Sequence, residues 1–198
     1  MLLICAATWV EAAACWHASR SRASRVEVLW TGMGLARARR ALETRLAAGV
    51  RPALVISAGF AGSHASDARV GDWILATEAR QAGFEAIACR TGLARALKRT
   101  SLRWRKGPVL TLERIAGRER RIFEGVAHDL ETHALSRVAS RFGIGFSALR
   151  MVSDTWDFPL PTRAREGVGF ALRAWRYPAE LRDGWREILG QTGSQTTE

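Results

Sequence analysis

The stretch "FSALRMVSDTWD" (residues 146–157) decides the fold and gives the first indication of a site. It begins as a mainly apolar run, which is typical of a strand covered on both faces of a sheet. The run stops at Ser153 and Asp154. An acid at the end of a buried strand needs a partner or a ligand, because an unpaired buried charge is costly. We therefore expect this strand to end at a ligand-binding edge.

Apolar runs and helical patterns alternate along the rest of the chain. The apolar runs lie at 2–8, 26–30, 53–62, 70–79 and 107–112, and helices are predicted at 35–49, 128–143 and 178–190. This order predicts an α/β fold in a single domain (1–190), with a mainly parallel or mixed twisted central sheet flanked by helices. A flexible tail is expected at 191–198. Ligands of such sheets bind beyond the carboxyl ends of the strands, which is where Ser153 and Asp154 fall.

The charge balance favours anionic partners but does not identify one. The chain has 198 residues, with 30 Lys and Arg against 19 Asp and Glu and a formal net charge of +11. Such a charge suits nucleic acid, an acidic membrane surface or a phosphorylated ligand. The simpler interpretation, which we favour, spreads the arginines over solvated helix faces. Residues 97–106 interleave Trp104 with cations, but they match no recognised nucleic-acid motif, so a nucleic-acid partner is not expected.

The cysteines and the N-terminus indicate a reducing compartment. Cys5, Cys15 and Cys89 are far apart and lack metal-site spacing, which argues against a disulfide framework and a zinc site. No Lys or Arg precedes the first apolar run, and Glu11 interrupts it, so it does not read as a signal peptide. We expect a cytoplasmic protein without a membrane-spanning helix and without a bound metal.

Two glycine-rich turns and one pair of acids fit the ligand-binding edge. "TGMG" (31–34) follows a strand and opens a helix, so its backbone N–H groups could bind an anion or a sugar hydroxyl; a tight turn explains it equally well. "SAGFAG" (57–62) has the same character. Glu131 and Asp154 bracket a helix and a strand, so both could lie at one end of the sheet, although such pairs are often structural.

The joint order of these motifs resembles one enzyme superfamily. The chain carries "AAT…E", "TGMG", "GFAG…VGDWIL", "HDLETHALSRVA" and "FSALRMVSD" in sequence. This order resembles the nucleoside phosphorylase and nucleosidase superfamily, which includes methylthioadenosine/S-adenosylhomocysteine nucleosidase and futalosine hydrolase. The resemblance covers residues 1–80 and 125–160. "DLETHAL", "ALRMVSD" and "PLP" look most like the hopanoid-associated phosphorylase branch, whose substrate is taken to be adenosylhopane, a nucleoside joined to a triterpenoid lipid.

The resemblance implies roles for residues at matching positions. Asp154, next to Ser153, matches the acid that protonates or hydrogen-bonds the leaving purine. Glu131 matches the glutamate that binds the ribose hydroxyls, and Leu130 stands where relatives have a methionine against the sugar. Glu11 matches the glutamate that positions the attacking water in hydrolytic members. The N-glycosidic bond breaks through an oxocarbenium-like transition state. The departing base must then gain a proton or a strong hydrogen bond, which is the role that the resemblance implies for Asp154.

The nucleophile is predicted to be water rather than phosphate. In hexameric purine nucleoside phosphorylases, an arginine and a serine stand three apart around the motif that matches "SAGFAG"; here the two positions are Ser57 and Phe60. Glu11 would repel phosphate. Phosphorolysis, with phosphate as co-substrate, and a non-catalytic nucleoside-binding protein are the alternatives. The resemblance places these residues near the nucleophile or substrate: Thr31, Gly32, Gly34, Phe60 and Gly62.

The resemblance implies a homo-oligomer without a cofactor. A second hypothesis is peripheral contact with the inner membrane face through the C-terminal aromatics Trp175, Tyr177 and Trp185, which alternate with arginines. The alternative, which we favour slightly, is that these rings pack the last helix on the core.

Overall fold

The computed structural model describes residues 1–20, 25–63, 65–114, 126–155 and 176–192. Its strands are β1 (Leu2–Ala6), β2 (Val26–Trp30), β3 (Leu54–Ser63), β4 (Trp73–Gln81), β5 (Ile87–Ala88), β6 (Trp104–Thr111), β7 (Ala127–Asp129) and β8 (Gly145–Thr155). Its helices are α1 (Trp9–Ser19), α2 (Leu35–Ala47), α3 (Ala94–Leu97), α4 (Thr132–Arg141) and α5 (Tyr177–Thr192).

The strands form one mixed sheet, as the fold prediction allowed. The order is β2-β1-β3-β7-β6-β4-β5, and β8 pairs with both β3 and β4. The β1–β2, β1–β3, β3–β8, β4–β6 and β6–β7 pairs are parallel, whereas β3–β7, β4–β8 and β4–β5 are antiparallel. Strands β3, β8, β4, β6 and β7 therefore close a ring, and β1 and β2 extend it on one side.

Two apolar cores lie on opposite faces of the sheet. One contains Ile4, Ile56 and Trp73 together with side chains of α1, α3 and α5. The other contains Leu3 and Val55 together with side chains of α2 and α4. Neighbouring residues of β1 and β3 thus point to different cores, because successive side chains of a strand alternate between its faces. This explains why β1 is apolar at every position, as expected for a strand covered on both faces.

Most of the stretch quoted at residues 146–157 lies in β8, in which every residue after Gly145 is buried. It runs parallel to β3 along its full length and antiparallel to the start of β4. The register with β3 shifts between Ala61 and Gly62, so that Gly62 lies opposite Asp154. A shift of this kind bends a strand and redirects its side chains. Here it brings the carboxyl end of β8 against the glycine-rich end of β3.

The predicted start of the helix at 128 was wrong. Residues Ala127–Asp129 form β7, and α4 begins only at Thr132. Asp129 therefore does not lie in the first helical turn; its side chain accepts hydrogen bonds from the backbone N–H of Thr132 and from the hydroxyl of Thr111. The backbone of Ala127–Asp129 forms its hydrogen bonds with β3 and β6 rather than within a helix. Residues 81–108, whose sequence shows no clear helix or strand pattern, contain the end of β4, β5, α3 and the start of β6.

The C-terminal aromatics pack on the core rather than forming a surface. Tyr177 and Trp185 are both buried, which agrees with the alternative that we favoured slightly, namely that these rings pack the last helix on the core. Trp175 lies outside the described residues. Helix α5 continues to Thr192, two residues into the predicted tail, and residues 193–198 also lie outside the described part. Among the described helices, none has the length and apolar character needed to span a membrane. All three cysteines are free and buried.

Candidate active site

A pocket of 530 Å³ lies where the parallel strands β1, β3 and β8 end. The antiparallel pair between Gly62 and His128 brings β7 across the end of β3, so the residues that follow β7 also reach the pocket. Seven of the predicted site residues line it: Glu11, Phe60, Gly62, Leu130, Glu131, Ser153 and Asp154. Of the predicted "TGMG" loop, Met33 lines the pocket.

Glu11 is held in place by the start of its own helix and by β3. Thr8 is the N-cap of α1, and Glu11 Oε2 accepts hydrogen bonds from the Thr8 backbone N–H (2.7 Å) and hydroxyl (2.8 Å). Glu11 Oε1 accepts one from the Phe60 backbone N–H at 2.7 Å. Gly59 makes this approach possible, since an added Cβ would lie 2.2 Å from Glu11 Oε1. Phe60 thus binds Glu11 through its backbone, while its ring packs on Tyr177.

The "TGMG" loop binds Glu131. The backbone N–H of Gly34 donates to Glu131 Oε1 at 2.8 Å, and Gly34 has a φ of 93°, which suits glycine. The Thr31 hydroxyl donates to backbone carbonyls of Ala6 and Gly32 and so holds the loop against β1. The loop therefore does bind an anion, but that anion is a side chain of the protein. A direct contact of Thr31, Gly32 or Gly34 with the nucleophile stays a prediction.

Burial changes the acidity of Glu131. The side chain is 4% exposed. Burial raises the pKa of Glu131 to about 7, although the positive charge of Arg150 opposes the rise. The Arg150 guanidinium lies 3.7 Å from Glu131 Oε2, which is an ion pair but too long for a hydrogen bond. Oε2 therefore keeps the capacity to accept a hydrogen bond from a ligand.

Arg150 is a central residue that our sequence analysis missed. It is 1% exposed and pairs with Asp129 at 2.5 Å. Its guanidinium also donates to the Ser57 hydroxyl (2.7 Å), the Thr132 hydroxyl (3.0 Å) and the Ala58 carbonyl (3.2 Å). The stretch at residues 146–157 already indicated such a residue, because Arg150 interrupts a mainly apolar strand. A cation in that position needs a buried carboxylate, and "DLE" supplies two.

Asp154 has a much less polar environment. It is 6% exposed, and the Ser153 hydroxyl donates to its Oδ1 at 2.7 Å. Burial raises the pKa of Asp154, and the hydrogen bond from Ser153 only partly offsets this effect. Asp154 therefore retains its proton to a higher pH than an ordinary aspartate does. The predicted acid at the end of the strand is thus suited to donate a proton into the pocket.

Gly62 and His128 shape the space beside Asp154. A Cβ added at Gly62 would lie 2.3 Å from His128 Nε2 and 2.6 Å from Asp154 Oδ2. The glycine is therefore required by close approach of two side chains, and its place in the predicted site has a steric reason. His128 also lines the pocket and was not identified from the sequence.

The described part of the site carries more acidic than basic side chains. Four acidic side chains lie in or beside the pocket (Glu11, Asp129, Glu131 and Asp154), and Arg150 is the buried arginine among them. Arg150 contacts Asp129, Ser57 and Thr132, and it is not among the residues that line the pocket. No cluster of His, Cys, Asp and Glu suited to a metal ion occurs in the described ranges.

A mixed α/β sheet with a carboxylate-lined pocket at its strand ends is the arrangement expected of the nucleosidase and nucleoside phosphorylase class. The chain belongs to the phosphorylase superfamily, whose family model matches residues 6–170. This confirms the family and the fold class that the sequence predicted. Membership also supports the prediction of an enzyme. A search of curated proteins gives no match.

Three solved structures with a similar fold are two nucleosidases and one futalosine hydrolase by name. A putative 5′-methylthioadenosine/S-adenosylhomocysteine nucleosidase from Borrelia burgdorferi, bound to adenine, superposes with a TM-score of 0.75 at 17% identity, over 96% of this chain and 99% of that one. A futalosine hydrolase mutant of Helicobacter pylori gives 0.75 at 14%, over 96% and 98%. Arabidopsis thaliana 5′-methylthioadenosine nucleosidase gives 0.79 at 16%, over 98% and 96%. At these identities the similarity establishes the fold.

Proposed function

We propose that the protein cleaves the N-glycosidic bond of a purine nucleoside with water as nucleophile. The observation that carries this proposal is Asp154: a buried acid with a raised pKa, at the end of a strand, in a pocket that also contains Glu131 and Glu11. Each of the three carboxyl groups has a different environment, and each environment suits a different role in this reaction.

Asp154 would assist the departing purine. Cleavage passes through an oxocarbenium-like transition state in which the base gains electron density, so a proton or strong hydrogen bond from Asp154 lowers the barrier. A positioned acid of this kind typically contributes about 10²- to 10⁴-fold. The raised pKa of Asp154 keeps the proton available closer to neutral pH. The Ser153 hydroxyl, bonded to Oδ1, fixes the orientation of the carboxyl group.

Glu131 would hold the ribose. The Gly34 backbone N–H fixes Oε1 of Glu131. The carboxylate is therefore already oriented, and its Oε2 can accept hydrogen bonds from the sugar hydroxyls. Leu130 and Met33 line the same pocket and supply apolar contact for the sugar and its 5′ substituent.

Glu11 and the local charge favour water over phosphate. Glu11 is anchored by three hydrogen bonds and could orient a water molecule, whereas its charge opposes a phosphate dianion. Ser57, at one of the two positions where the phosphorylases bind phosphate, is buried and accepts a hydrogen bond from Arg150. At this motif the described residues therefore offer no arginine to a phosphate, although an arginine elsewhere in the chain or from a neighbouring subunit could supply that charge. Phosphorolysis remains the second candidate, because the branch with the most similar motifs carries the name phosphorylase.

The pocket mouth suits a nucleoside with an apolar 5′ group. Trp9, Met33, Leu112 and Pro178 line the pocket, so a methylthio group or a longer hydrocarbon would meet apolar side chains. Adenine is the bound base in the nucleosidase from Borrelia burgdorferi. We therefore propose an adenosine derivative as substrate, with adenosylhopane as the lipid-linked candidate. Assembly into a homo-oligomer and the absence of a cofactor stay predictions.

Product identity tests the proposal directly. Adenosine, inosine, methylthioadenosine and a lipid-linked adenosine are incubated with the protein in phosphate-free buffer and in phosphate, and the free base and the sugar product are measured. We expect base and free ribose derivative in both buffers. Turnover only in phosphate, with a sugar 1-phosphate as product, would establish phosphorolysis instead. Tight binding of a nucleoside without base release in either buffer would establish a non-catalytic binding protein.

A further inference from the structure

One polar side chain next to Asp154 has no part in the proposed cleavage. His128 is 9% exposed and lines the pocket together with Asp154 and Gly62. A Cβ placed on Gly62 would lie 2.3 Å from His128 Nε2 and 2.6 Å from Asp154 Oδ2. The imidazole nitrogen and the carboxyl oxygen therefore border the same small space in the pocket.

The sheet fixes the position of His128. It is the middle residue of β7 and pairs with Gly62 of β3 on one side and with Leu110 of β6 on the other. Because the strand is paired on both sides, the direction in which its side chain leaves the sheet is set by the backbone. Gly62 has no side chain, so the imidazole can approach β3 and Asp154 closely. His128 is thus a fixed part of the pocket wall.

The oxygen of Asp154 that borders this space is the one suited to contact the base. The Ser153 hydroxyl donates to Oδ1, and Oδ2 lies on the side of His128. In the proposed reaction the proton of Asp154 goes to N7 of the departing purine. The 6-substituent of a purine lies beside N7 on the same edge of the base, where adenine carries an amino donor and a 6-oxopurine carries an acceptor. A group next to Asp154 Oδ2 therefore faces the 6-substituent.

We infer that His128 selects the base by accepting a hydrogen bond from the 6-amino group of adenine. A neutral imidazole has one nitrogen that accepts. The proton of Asp154 and this nitrogen together match the acceptor at N7 and the donor at the 6-position of adenine. A 6-oxo group would instead meet a second acceptor. The inference rests on the proposed cleavage of a purine nucleoside and adds the choice of base to it.

The test varies the base of the substrate. Adenosine, inosine and purine riboside, which lacks a 6-substituent, are given to the wild type, His128→Val and His128→Gln, and base release gives kcat/KM. In His128→Val the kcat/KM for adenosine relative to purine riboside should fall about tenfold, because one hydrogen bond to the base is lost. The intrinsic reactivity of the two nucleosides cancels, since it is the same for every variant. His128→Gln keeps an acceptor and should retain most of the preference for adenosine.

His133→Gln is the matched control. His133 is also a buried histidine, two residues after Glu131, but it contacts Gln81 and the Glu85 carbonyl and is not among the residues that line the pocket. Its ratio of adenosine to purine riboside should equal that of the wild type. A ratio of two substrates measured on one preparation does not depend on the folded fraction, so partial misfolding cannot imitate the effect.

Binding of free bases separates the choice of base from the cleavage reaction. Calorimetry with adenine, hypoxanthine and purine measures Kd without turnover. The wild type should bind adenine more tightly than the other two, and His128→Val should lose about tenfold in affinity for adenine alone. If the wild type releases no base from any nucleoside, the proposed function fails, and this measurement still decides the role of His128.

The inference fails on any of three results. The first is an adenosine to purine riboside ratio and an adenine affinity that are the same in the wild type and in His128→Val. The second is a loss in His128→Val that falls on inosine and hypoxanthine instead, because His128 would then donate to a 6-oxo group. The third is a folded wild-type protein that neither binds adenine nor releases it.

Discussion

Asp129 and Asp154 are both buried aspartates near one pocket, yet they have opposite environments. Asp129 pairs with Arg150 and accepts hydrogen bonds from Thr111 and from the backbone and hydroxyl of Thr132. Asp154, among the described residues, accepts a hydrogen bond from Ser153, and burial raises its pKa. A charge that is fully paired holds a structure together, whereas a desolvated acid with few partners can transfer a proton. The first should govern stability and the second turnover.

The largest expected effect is on turnover, in Asp154→Asn. The amide keeps the size of the side chain but cannot donate an acidic proton, so purine release should fall about 10²- to 10⁴-fold. The thermal unfolding midpoint should stay close to that of the wild type, because Asp154 has few partners to lose. Asp67→Asn is the control, since Asp67 pairs with Arg105 on the surface. Full activity in a folded Asp154→Ala protein would remove Asp154 from the reaction.

Stability should respond most to Arg150→Met. Removing this guanidinium leaves Asp129 buried and unpaired, and breaking a buried ion pair in this way costs about 3–5 kcal/mol. Arg45→Met is the matched control: its partner Glu27 is also a carboxylate, but the pair lies at the surface. Chemical denaturation should show a large loss for Arg150→Met and almost none for Arg45→Met. Equal losses would mean that burial does not distinguish the two pairs.

The contrast between the two aspartates also shows what the sequence could predict. Asp154 was found because a strand pattern ends in an acid and because the motif order resembles a family. Asp129 was placed in a helix, since the helical pattern of residues 128–143 extends through it. Its actual role depends on Thr111 and Arg150, which are distant in sequence and meet only through β6, β7 and β8. Local patterns cannot report such pairings.

The same limit applies to the surface. The net charge suggested an anionic partner, and the C-terminal aromatics were the first candidates for a membrane surface. Tyr177 and Trp185 are buried, whereas Trp9, Trp16 and Trp30 are exposed. Both sets are aromatic residues near arginines in the sequence, so composition could not separate them. Only the packing of α1 and α5 on the sheet decides which rings remain at the surface.

A medium effect is expected from pH, through Glu131. Its pKa of about 7 lies above that of an ordinary glutamate, so it holds a proton below that pH and loses hydrogen-bond acceptor capacity for ribose. The apparent KM should therefore rise as pH falls below about 7, and Glu131→Gln should abolish this dependence while raising KM throughout. Stability should change in the opposite direction to substrate binding: Glu131 favours the folded state at low pH, and this contribution is lost as pH rises through about 7.

The control for the pH effect is Asp154→Asn. It should remove the alkaline limb of the residual activity, because that limb reports loss of the Asp154 proton, and it should leave the acidic dependence of KM in place. An acidic limb that persists in Glu131→Gln would assign it to another group.

The smallest expected effect is that of Ser153→Ala. The Ser153 hydroxyl donates to Asp154 Oδ1 at 2.7 Å and lowers the pKa of Asp154, so its removal should raise that pKa further. The acid then keeps its proton to higher pH, and the alkaline limb of purine release should move upward. At neutral pH the rate should change by less than about tenfold, because the hydrogen bond orients the acid and does not supply the proton. Ser153→Thr retains the hydroxyl and should keep the wild-type limb. If Ser153→Ala instead lowered turnover as much as Asp154→Asn, or left the limb unmoved, Asp154 would not be the group that the limb reports, and the contrast with Asp129 would lose its functional meaning.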